Sequence, residues 1–259
     1  MTEKHPVFRD LVVANRILAN ENIVDAYGHV SIRHPDNPKR FLLARSRAPE
    51  LVDEDDIIEF TLEGEPVNDN RQPYLERFIH GAIYEQRPDV QAVVHAHAED
   101  VLPFGISPTP LRPVIHSGSF MGANVPVWDI ADKFGTETDL LVRNMEQGRD
   151  LAKCLAGNNV ALMRGHGFAS AARSLIEVVR MSVYIPRNAR AQMKALALGG
   201  QIKPLHQGEI NARSSGTGYK PNSPETWRAW EYWATRAGCG HMMGAREHTH
   251  SHANDDKKS

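Results

Sequence analysis

The sequence lacks the features that mark a secreted, membrane-bound or disulfide-rich protein. It has two cysteines, Cys154 and Cys239, which lie too far apart for any common metal-binding spacing. We therefore expect both to be reduced, buried thiols in a cytoplasmic protein. No apolar run approaches the roughly 18 residues that a membrane-spanning helix needs. The first residues include no apolar stretch typical of a signal peptide.

Strong charge of either sign and glycine-rich nucleotide motifs are also absent. The formal net charge is −2 at pH 7, so we expect neither nucleic acid nor a membrane as a partner. No glycine-rich fingerprint indicates a bound nucleotide, and no organic cofactor is expected. Hydrophobic residues make up 41% and charged residues 24% of the 259 residues, proportions typical of one large globular domain.

The apolar pattern predicts helices and short strands interspersed along the chain. Helices are predicted at residues 8–20, 75–86, 144–156 and 174–198, near residue 99 and from residue 224. Strands are predicted at residues 29–34, 41–44, 57–61, 90–95, 160–163 and 168–171. The stretch between residue 200 and residue 224 is expected to be rich in loops. Together these elements indicate an α/β domain, a sheet covered by helices.

Two histidines on one apolar strand are the strongest local sign of chemistry. His95 and His97 are separated by one residue at the end of a predicted strand, and alternate strand residues point to the same face. Both imidazoles therefore project together, and neutral imidazole is a common ligand of metal ions. The pattern alone is equally consistent with a pair of hydrogen-bonded histidines at a strand end.

His166 and Glu76 are further candidate ligands. His166 lies between Gly165 and Gly167 in a predicted tight turn, where glycine permits close backbone approach. Glu76 lies at the start of a predicted helix, where its carboxylate can bind a metal ion or act as acid or base. Taken separately, His166 is more often an ordinary turn residue and Glu76 an acid favoured by the helix dipole. Three histidines would leave an open coordination position for a substrate.

Four segments, in this order, resemble the class II aldolase/adducin family: residues 28–33, Glu76, residues 95–97 and residues 161–167. The resemblance covers roughly residues 8–200. It implies a single-domain α/β/α sandwich with a central, mostly antiparallel sheet covered by helices. It also implies a homotetramer with active sites at subunit interfaces. The implied cofactor is one divalent ion per subunit, Zn²⁺ or Mn²⁺, with Co²⁺ or Fe²⁺ as further options.

The resemblance also implies roles for individual residues. His95, His97 and His166 would bind the metal ion, and Glu76 would be both a ligand and the acid–base group. His29, in the segment similar to the family's first strand, is a second candidate for the proton donor. The resemblance thus gives the two catalytic candidates, Glu76 and His29, and a full set of metal ligands.

Several positions depart from the sugar-phosphate aldolases of this family, which hold phosphate with small polar groups. The corresponding positions here are His29, Ser46–Arg47 and Tyr74–Leu75, and Ser117 stands where those aldolases have a tyrosine. Bulky and cationic side chains have replaced small donors at these places. A phosphorylated sugar is therefore expected to be a poor ligand.

A planar carboxylate is a better fit for the altered positions. Arg47, with Arg45, can bind a carboxylate through two parallel hydrogen bonds, although Arg45 is equally well interpreted as surface charge. The substitutions, together with residues 211–219, resemble a branch of the family that decarboxylates hydroxylated aromatic or pyridine dicarboxylates. We therefore expect such a dicarboxylate as substrate. The residues expected to bind it are Ser46, Arg47, Arg45, Ser117 and Tyr219.

Two other functions remain open at this point. An aldolase that cleaves an unphosphorylated hydroxy-acid or sugar acid would need the same metal chemistry. An adducin-like scaffold would need none, and the retention of all four candidate ligands argues against it. We divide the chain into a catalytic domain (1–210), a helical extension that packs on the domain or on a neighbouring subunit (211–240), and a disordered histidine-rich tail (241–259).

Overall fold

The computed structural model describes residues 5–215 and 223–244, and helices there cover both faces of a seven-stranded sheet. The strands are β1 (His29–Arg33), β2 (Arg40–Ala44), β3 (Ile57–Thr61), β4 (Ala92–Ala96), β5 (Val127–Trp128), β6 (Val160–Met163) and β7 (Gly167–Ala172). Their spatial order is β3-β2-β1-β4-β7-β6-β5, and every neighbouring pair except β5 and β6 is antiparallel. The prediction of a mostly antiparallel sheet is confirmed.

The helices are α1 (Val7–Asn20), α2 (Arg77–Gln86), α3 (Leu102–Ile106), α4 (Ile130–Phe134), α5 (Met145–Leu155), α6 (Leu175–Ala197), α7 (Gln207–Ser215) and α8 (Pro224–Arg236). Opposite faces of the sheet contact different helices, because strand side chains alternate in direction. Ser31 of β1 contacts His80 of α2, whereas Ser170 of β7 contacts Ser182 of α6. The predicted α/β fold, with its sheet covered by helices, is confirmed.

The central strands hold the site because they are buried and paired on both sides. Every residue of β4 and β7 is buried. His95 of β4 pairs with His29 of β1 on one side and with Ala169 of β7 on the other. These hydrogen-bonded ladders fix the backbone of His95 on a rigid element.

Two sequence predictions are wrong in detail. Helix α2 begins at Arg77 rather than at residue 75, so Glu76 is the residue before the helix, and its side chain does not cap it. Residues 207–215, predicted as loop, form α7. Ile210 is buried while most of its neighbours in α7 are exposed and polar, so this helix carries little amphipathic signal.

Helix α8 packs against α1 and α6 of the same chain. Its Trp230 and Trp233 are 2% and 3% exposed, and the Trp233 ring lies 6.2 Å from that of Tyr184. Residues 240–242 form a 3-10 turn, so the predicted tail does not begin at 241 as irregular chain. Residues 245–259 of that tail lie outside the described residues.

The structure shows how deeply the two cysteines are buried and how apolar the helices are. Both cysteines are free thiols, and Cys239 is buried, but Cys154 on α5 is only partly buried, so the prediction of burial is wrong for it. Partial exposure follows from its place on α5, where it packs against the core from the rim. Among the described residues, no helix has both the length and the apolar character required to cross a membrane.

Candidate metal centre

Four candidate ligands from separate parts of the fold converge beside the central strands. His95 belongs to β4, His97 follows that strand directly, His166 lies in the turn between β6 and β7, and Glu76 precedes α2. One ligand atom of each residue lies within 4.8 Å of every other. The structure therefore brings together the residues that the sequence proposes as metal ligands.

The spacing of the ligand atoms fits a small tetrahedral cation. The Nε2 atoms of His95 and His97 are 3.0 Å apart, and Oε2 of Glu76 lies 3.4 Å from Nε2 of both His95 and His166. Ligands about 2.0–2.1 Å from a tetrahedral ion, the usual zinc distances, are about 3.3 Å from one another. The donor atoms thus surround a space of the size that such an ion needs.

His95 and His97 are each oriented by a contact at Nδ1, the ring nitrogen that faces away from the cluster. Nδ1 of His95 lies 3.0 Å from the Phe168 carbonyl, which can only accept, so Nδ1 carries the proton and Nε2 has a lone pair. Nδ1 of His97 faces the Asp25 carboxylate at 3.5 Å. A partner of this kind, on the nitrogen opposite the metal, is the usual arrangement at histidine metal sites.

Neutral imidazoles at this spacing need a cation between them. His95 is fully buried, and its Nε2 lone pair points toward Nε2 of His97. Burial, followed by electrostatic interaction with His95 and His166, lowers the pKa of His97 to about 4, so the His97 ring is neutral near pH 7. Facing lone pairs repel each other, and the neutral ring is the form that binds metal ions. The arrangement is therefore suited to a bound cation.

Glu76 supplies negative charge to the cluster. Burial alone would raise the pKa of this carboxyl, but electrostatic interaction with the adjacent His95 and His166 rings holds its pKa well below the usual value. Its Oε1 accepts a hydrogen bond of 2.9 Å from the Val142 backbone amide. Oε2 remains directed at the histidines, and three imidazoles with one carboxylate are a donor set typical of zinc and related ions.

The glycines beside His166 explain how a turn can present this ring. Gly165 has a φ of +65°, a left-handed conformation that disfavours other residues. A Cβ atom on Gly167 would lie 2.1 Å from the Ala96 carbonyl oxygen, so no other residue fits without a shift of the backbone. The two glycines let the turn close tightly against β4, and His166 is thereby brought beside His95.

His29 lies next to the cluster. Its ring centroid is 5.2 Å from that of His95 and 4.7 Å from that of Tyr74, whose hydroxyl donates to the Arg47 carbonyl. Burial, together with the charges of His80 and His95, lowers the pKa of His29 well below its ordinary value. A neutral His29 therefore lies between the candidate metal ligands and residues 45–47, which we call the arginine segment.

Arg45 and Arg47 share one carboxylate. Nε of Arg45 donates to Oδ1 of Asp56 at 2.7 Å, and Nε of Arg47 lies 3.3 Å from Oδ2. Two guanidinium groups against one carboxylate leave one positive charge without a partner in this group. The two arginine side chains are 34% and 38% exposed, and Ser46 between them is exposed as well. This segment can therefore receive an anionic group of a ligand.

Ser117 and Tyr219 are the remaining residues that the sequence predicts to bind the substrate. Ser117 is buried in the 3-10 segment His116–Met121, which packs on α6. Within the described chain, no hydrogen bond links Ser117 to the candidate metal ligands. Tyr219 lies outside the described residues. A role in substrate binding stays a prediction for both.

Two residues of the site, Asp25 and His80, were not found by sequence reasoning. His80 contacts His29, and the sequence contains a signal for it, because His80 follows Glu76 by one turn on the same face of the predicted helix 75–86. Asp25 lies in the turn before β1. It reaches His97 through the pairing of β1 with β4, and no local pattern in the sequence specifies that pairing.

Known proteins are similar to this chain over most of its length. Residues 9–193 match the family described as Class II Aldolase and Adducin N-terminal domain. Decarboxylase tropJ of Talaromyces stipitatus is 39% identical over 203 residues, which cover 73% of this chain and 76% of that protein. The 3,4-dihydroxyphthalate decarboxylase of Arthrobacter keyseri is 27% identical over 234 residues, which cover 84% of this chain and 90% of that protein.

Solved structures show the same fold. An aldolase II superfamily protein from Pseudomonas syringae matches with a TM-score of 0.74 at 20% identity, over 92% of this chain and 95% of that one. A likeness at this level of identity bears on the fold alone, and it agrees with the resemblance drawn from the ordered motifs. Since the family match also covers most of the sequence, the chain belongs to the class II aldolase and adducin family.

Proposed function

We propose that this protein is a metal-dependent decarboxylase that releases carbon dioxide from a hydroxylated aromatic dicarboxylate of the phthalate or pyridine type. The observation that carries the proposal is the cluster of Glu76, His95, His97 and His166. The arginine segment supports the anionic substrate, because Arg45 and Arg47 together exceed the charge of their shared carboxylate partner.

The names of the relatives support a carbon–carbon lyase of the carboxy-lyase type. Two proteins that match most of this chain are named decarboxylases, and one of them is named for 3,4-dihydroxyphthalate. That compound has two adjacent hydroxyl groups and two carboxylates on one ring. A ligand of this kind can offer oxygen atoms to a metal ion and a separate carboxylate to an arginine.

The proposed reaction replaces one carboxylate of the ring with a proton. A divalent ion held by the cluster would supply the positive charge that polarises a ring oxygen of the substrate. Arg45 and Arg47 bind the carboxylate that stays on the ring and so fix its orientation. A ring carbon receives a proton from His29, or from Glu76 once that carboxylate has taken up a proton from solvent, its bond to the departing carboxylate breaks, and the electrons of that bond restore the aromatic ring as carbon dioxide leaves.

We propose one Zn²⁺ or Mn²⁺ ion per subunit, with Co²⁺ or Fe²⁺ as alternatives, in a homotetramer with active sites at the interfaces. Exposed apolar side chains beside the site support the assembly. Tyr27 is 73% exposed close to Asp25, and Leu75 is 41% exposed next to Glu76. Apolar groups of this kind favour contact with another subunit. Light scattering on the purified protein measures the assembly, and a monomer at micromolar concentration would contradict it.

Product analysis tests the function. Metal-loaded protein is incubated with dihydroxyphthalates, hydroxypyridine dicarboxylates and, separately, unphosphorylated hydroxy-acids, and carbon dioxide and aldehydes are both measured. We expect carbon dioxide from an aromatic dicarboxylate, with one metal ion bound per subunit. Release of aldehyde without carbon dioxide would support an aldolase instead. A preparation that stays metal-free and inert after metal supplementation would support a scaffold.

A further inference from the structure

A continuous line of hydrogen bonds runs from His29 into the interior of the protein. Nδ1 of His29 lies 2.7 Å from Nε2 of His80, and Nδ1 of His80 lies 2.6 Å from the Ser31 hydroxyl. The Ser31 hydroxyl in turn lies 2.8 Å from the Tyr84 hydroxyl. None of these four residues is more than 2% exposed, so the line is shielded from solvent.

Regular elements hold this line in place. His29 and Ser31 are alternate residues of β1 and point to the same face of the sheet, while His80 and Tyr84 are one helical turn apart on α2. The Phe41 ring packs against both of the latter, with centroid distances of 6.3 Å to His80 and 5.5 Å to Tyr84. The geometry is therefore set by the packing of α2 on β1.

The inner end of the line determines the direction of donation. Burial raises the pKa of Tyr84 above its ordinary value, so the hydroxyl keeps its proton, and among the described residues the Ser31 hydroxyl is the one side-chain group within hydrogen-bond distance of that hydroxyl. The Tyr84 proton is therefore directed to Ser31, and the Ser31 proton is directed to Nδ1 of His80.

His80 donates a hydrogen bond to His29 in the same direction. Burial, followed by the charge of His95, lowers the pKa of His80 to about 3, so the ring is neutral and carries one proton. Because Nδ1 of His80 accepts from Ser31, that proton is on Nε2 and is donated to Nδ1 of His29. His29 must then carry its own proton on Nε2.

We infer that His80, Ser31 and Tyr84 are positioning residues that hold His29 as the tautomer protonated at Nε2, so that His29 donates a hydrogen bond to an oxygen atom of the substrate. In the described part of the chain, no protein group forms a hydrogen bond with this Nε2 atom, which leaves it available to a ligand. The identity of that ligand rests on the proposed function, whereas the tautomer is a property of the protein itself.

This tautomer gives neighbouring histidines different roles. His95 donates from Nδ1 to the Phe168 carbonyl and presents a lone pair at Nε2, as a metal ligand must. His29, its partner across the strands, accepts at Nδ1 from His80 and presents an N–H group at Nε2. A nitrogen that carries a proton cannot bind a metal ion. The line of hydrogen bonds therefore keeps His29 out of the metal ligand set.

Neutron diffraction tests the tautomer directly. Crystals of the full-length, zinc-loaded protein are exchanged into D₂O, and the nuclear density around both rings is measured. We expect deuterium on Nε2 of His29 and of His80, and none on Nδ1 of His29. Deuterium on Nδ1 of His29, or a zinc ion bound at its Nε2, would overturn the inference. The result does not depend on any substrate, so failure of the decarboxylase assay is a separate outcome.

A pair of serine variants tests the effect on turnover. Ser31→Ala removes the hydroxyl that donates to His80, while Ser170→Ala is a matched control, because Ser170 is an equally buried strand serine that contacts Ser182 on the opposite face. We expect Ser31→Ala to lower kcat about ten-fold, the factor that corresponds to loss of one hydrogen bond, with unchanged zinc content and little change in KM. Equal kcat values in the two variants, or loss of zinc in Ser31→Ala, would count against the inference.

Discussion

Replacement of Asp25 by asparagine should weaken metal binding while all four candidate ligands stay in place. Oδ1 of Asp25 lies 3.5 Å from Nδ1 of His97 and accepts a hydrogen bond of 2.8 Å from the Tyr27 backbone amide, which holds the carboxylate in position. The carboxylate favours a proton on Nδ1 and makes Nε2 of His97 a stronger donor to a metal ion. Asparagine keeps the shape of the side chain but removes the charge.

The expected loss of metal affinity follows from the distance between Asp25 and His97 and from the exposure of the Asp25 side chain. Loss of an outer partner of a metal-bound histidine typically costs about 10–100-fold in affinity. The Asp25 side chain is 60% exposed, and its distance to His97 is at the long end of the hydrogen-bond range. We therefore expect the lower end, about ten-fold in Kd, which corresponds to about 1.4 kcal/mol of binding free energy.

Competition titration with a chelator of known affinity measures the Kd for Zn²⁺. The control variant is Asp69→Asn, because Asp69 pairs with Arg71, which contacts the β3 segment at the edge of the sheet. We expect a weaker Kd in Asp25→Asn alone. An unchanged Kd in that variant would refute the role of Asp25 as the orienting partner of His97. Complete loss of zinc would show that Asp25 is itself a ligand.

His95→Ala should abolish zinc binding and carbon dioxide release together in a folded protein, as checked by metal analysis and circular dichroism; activity in a metal-depleted variant would contradict the ligand assignment. Arg47→Ala should weaken dicarboxylate binding by about 2 kcal/mol, measured as KM, whereas Arg40→Ala, which breaks a pair with Glu59, should not. Burial, then the His95 charge, lowers the pKa of His80 from 6.5 to about 3, so the unfolded chain binds more protons below pH 6.5. The free energy of unfolding should therefore fall by about 1.4 kcal/mol per pH unit from pH 6 to 4 through this group, and His80→Gln should lose that contribution in urea titrations; equal slopes would contradict it.

The candidate metal ligands could be predicted because local rules mark most of them. His95 and His97 share a face through the two-residue repeat of a strand, and the glycines flanking His166 indicate a tight turn. Periodicity places Glu76 inside the first turn of a helix, but the structure places it just before α2, where its side chain reaches the histidines. For Glu76 the resemblance to a family carried the prediction, because its local pattern favours an ordinary helix-terminal acid.

Contacts between distant segments could not be predicted in the same way. The pair of arginines meets Asp56 because β2 pairs with β3, and no local pattern specifies that partner. Helix α7 was missed for a different reason, since Ile210 supplies little of an apolar stripe. The order of strands in the sheet likewise depends on long-range pairing, which a single sequence does not encode in any short motif.

The candidate metal ligands and the residues proposed to bind substrate are held by different kinds of contact. This difference determines which of the two groups substitutions can alter more easily. On the metal side, His95 and Glu76 are oriented by main-chain groups, the Phe168 carbonyl and the Val142 amide, which persist whatever side chains those residues carry, whereas His97 faces a side chain, that of Asp25. The proposed substrate side depends on side chains, since Arg47 is held by Asp56, and His29 is held by His80 of α2. A few substitutions can therefore alter the recognition of anions without disturbing the candidate ligands. Among enzymes related to this chain, the metal centre should therefore be the shared feature and the substrate the variable one.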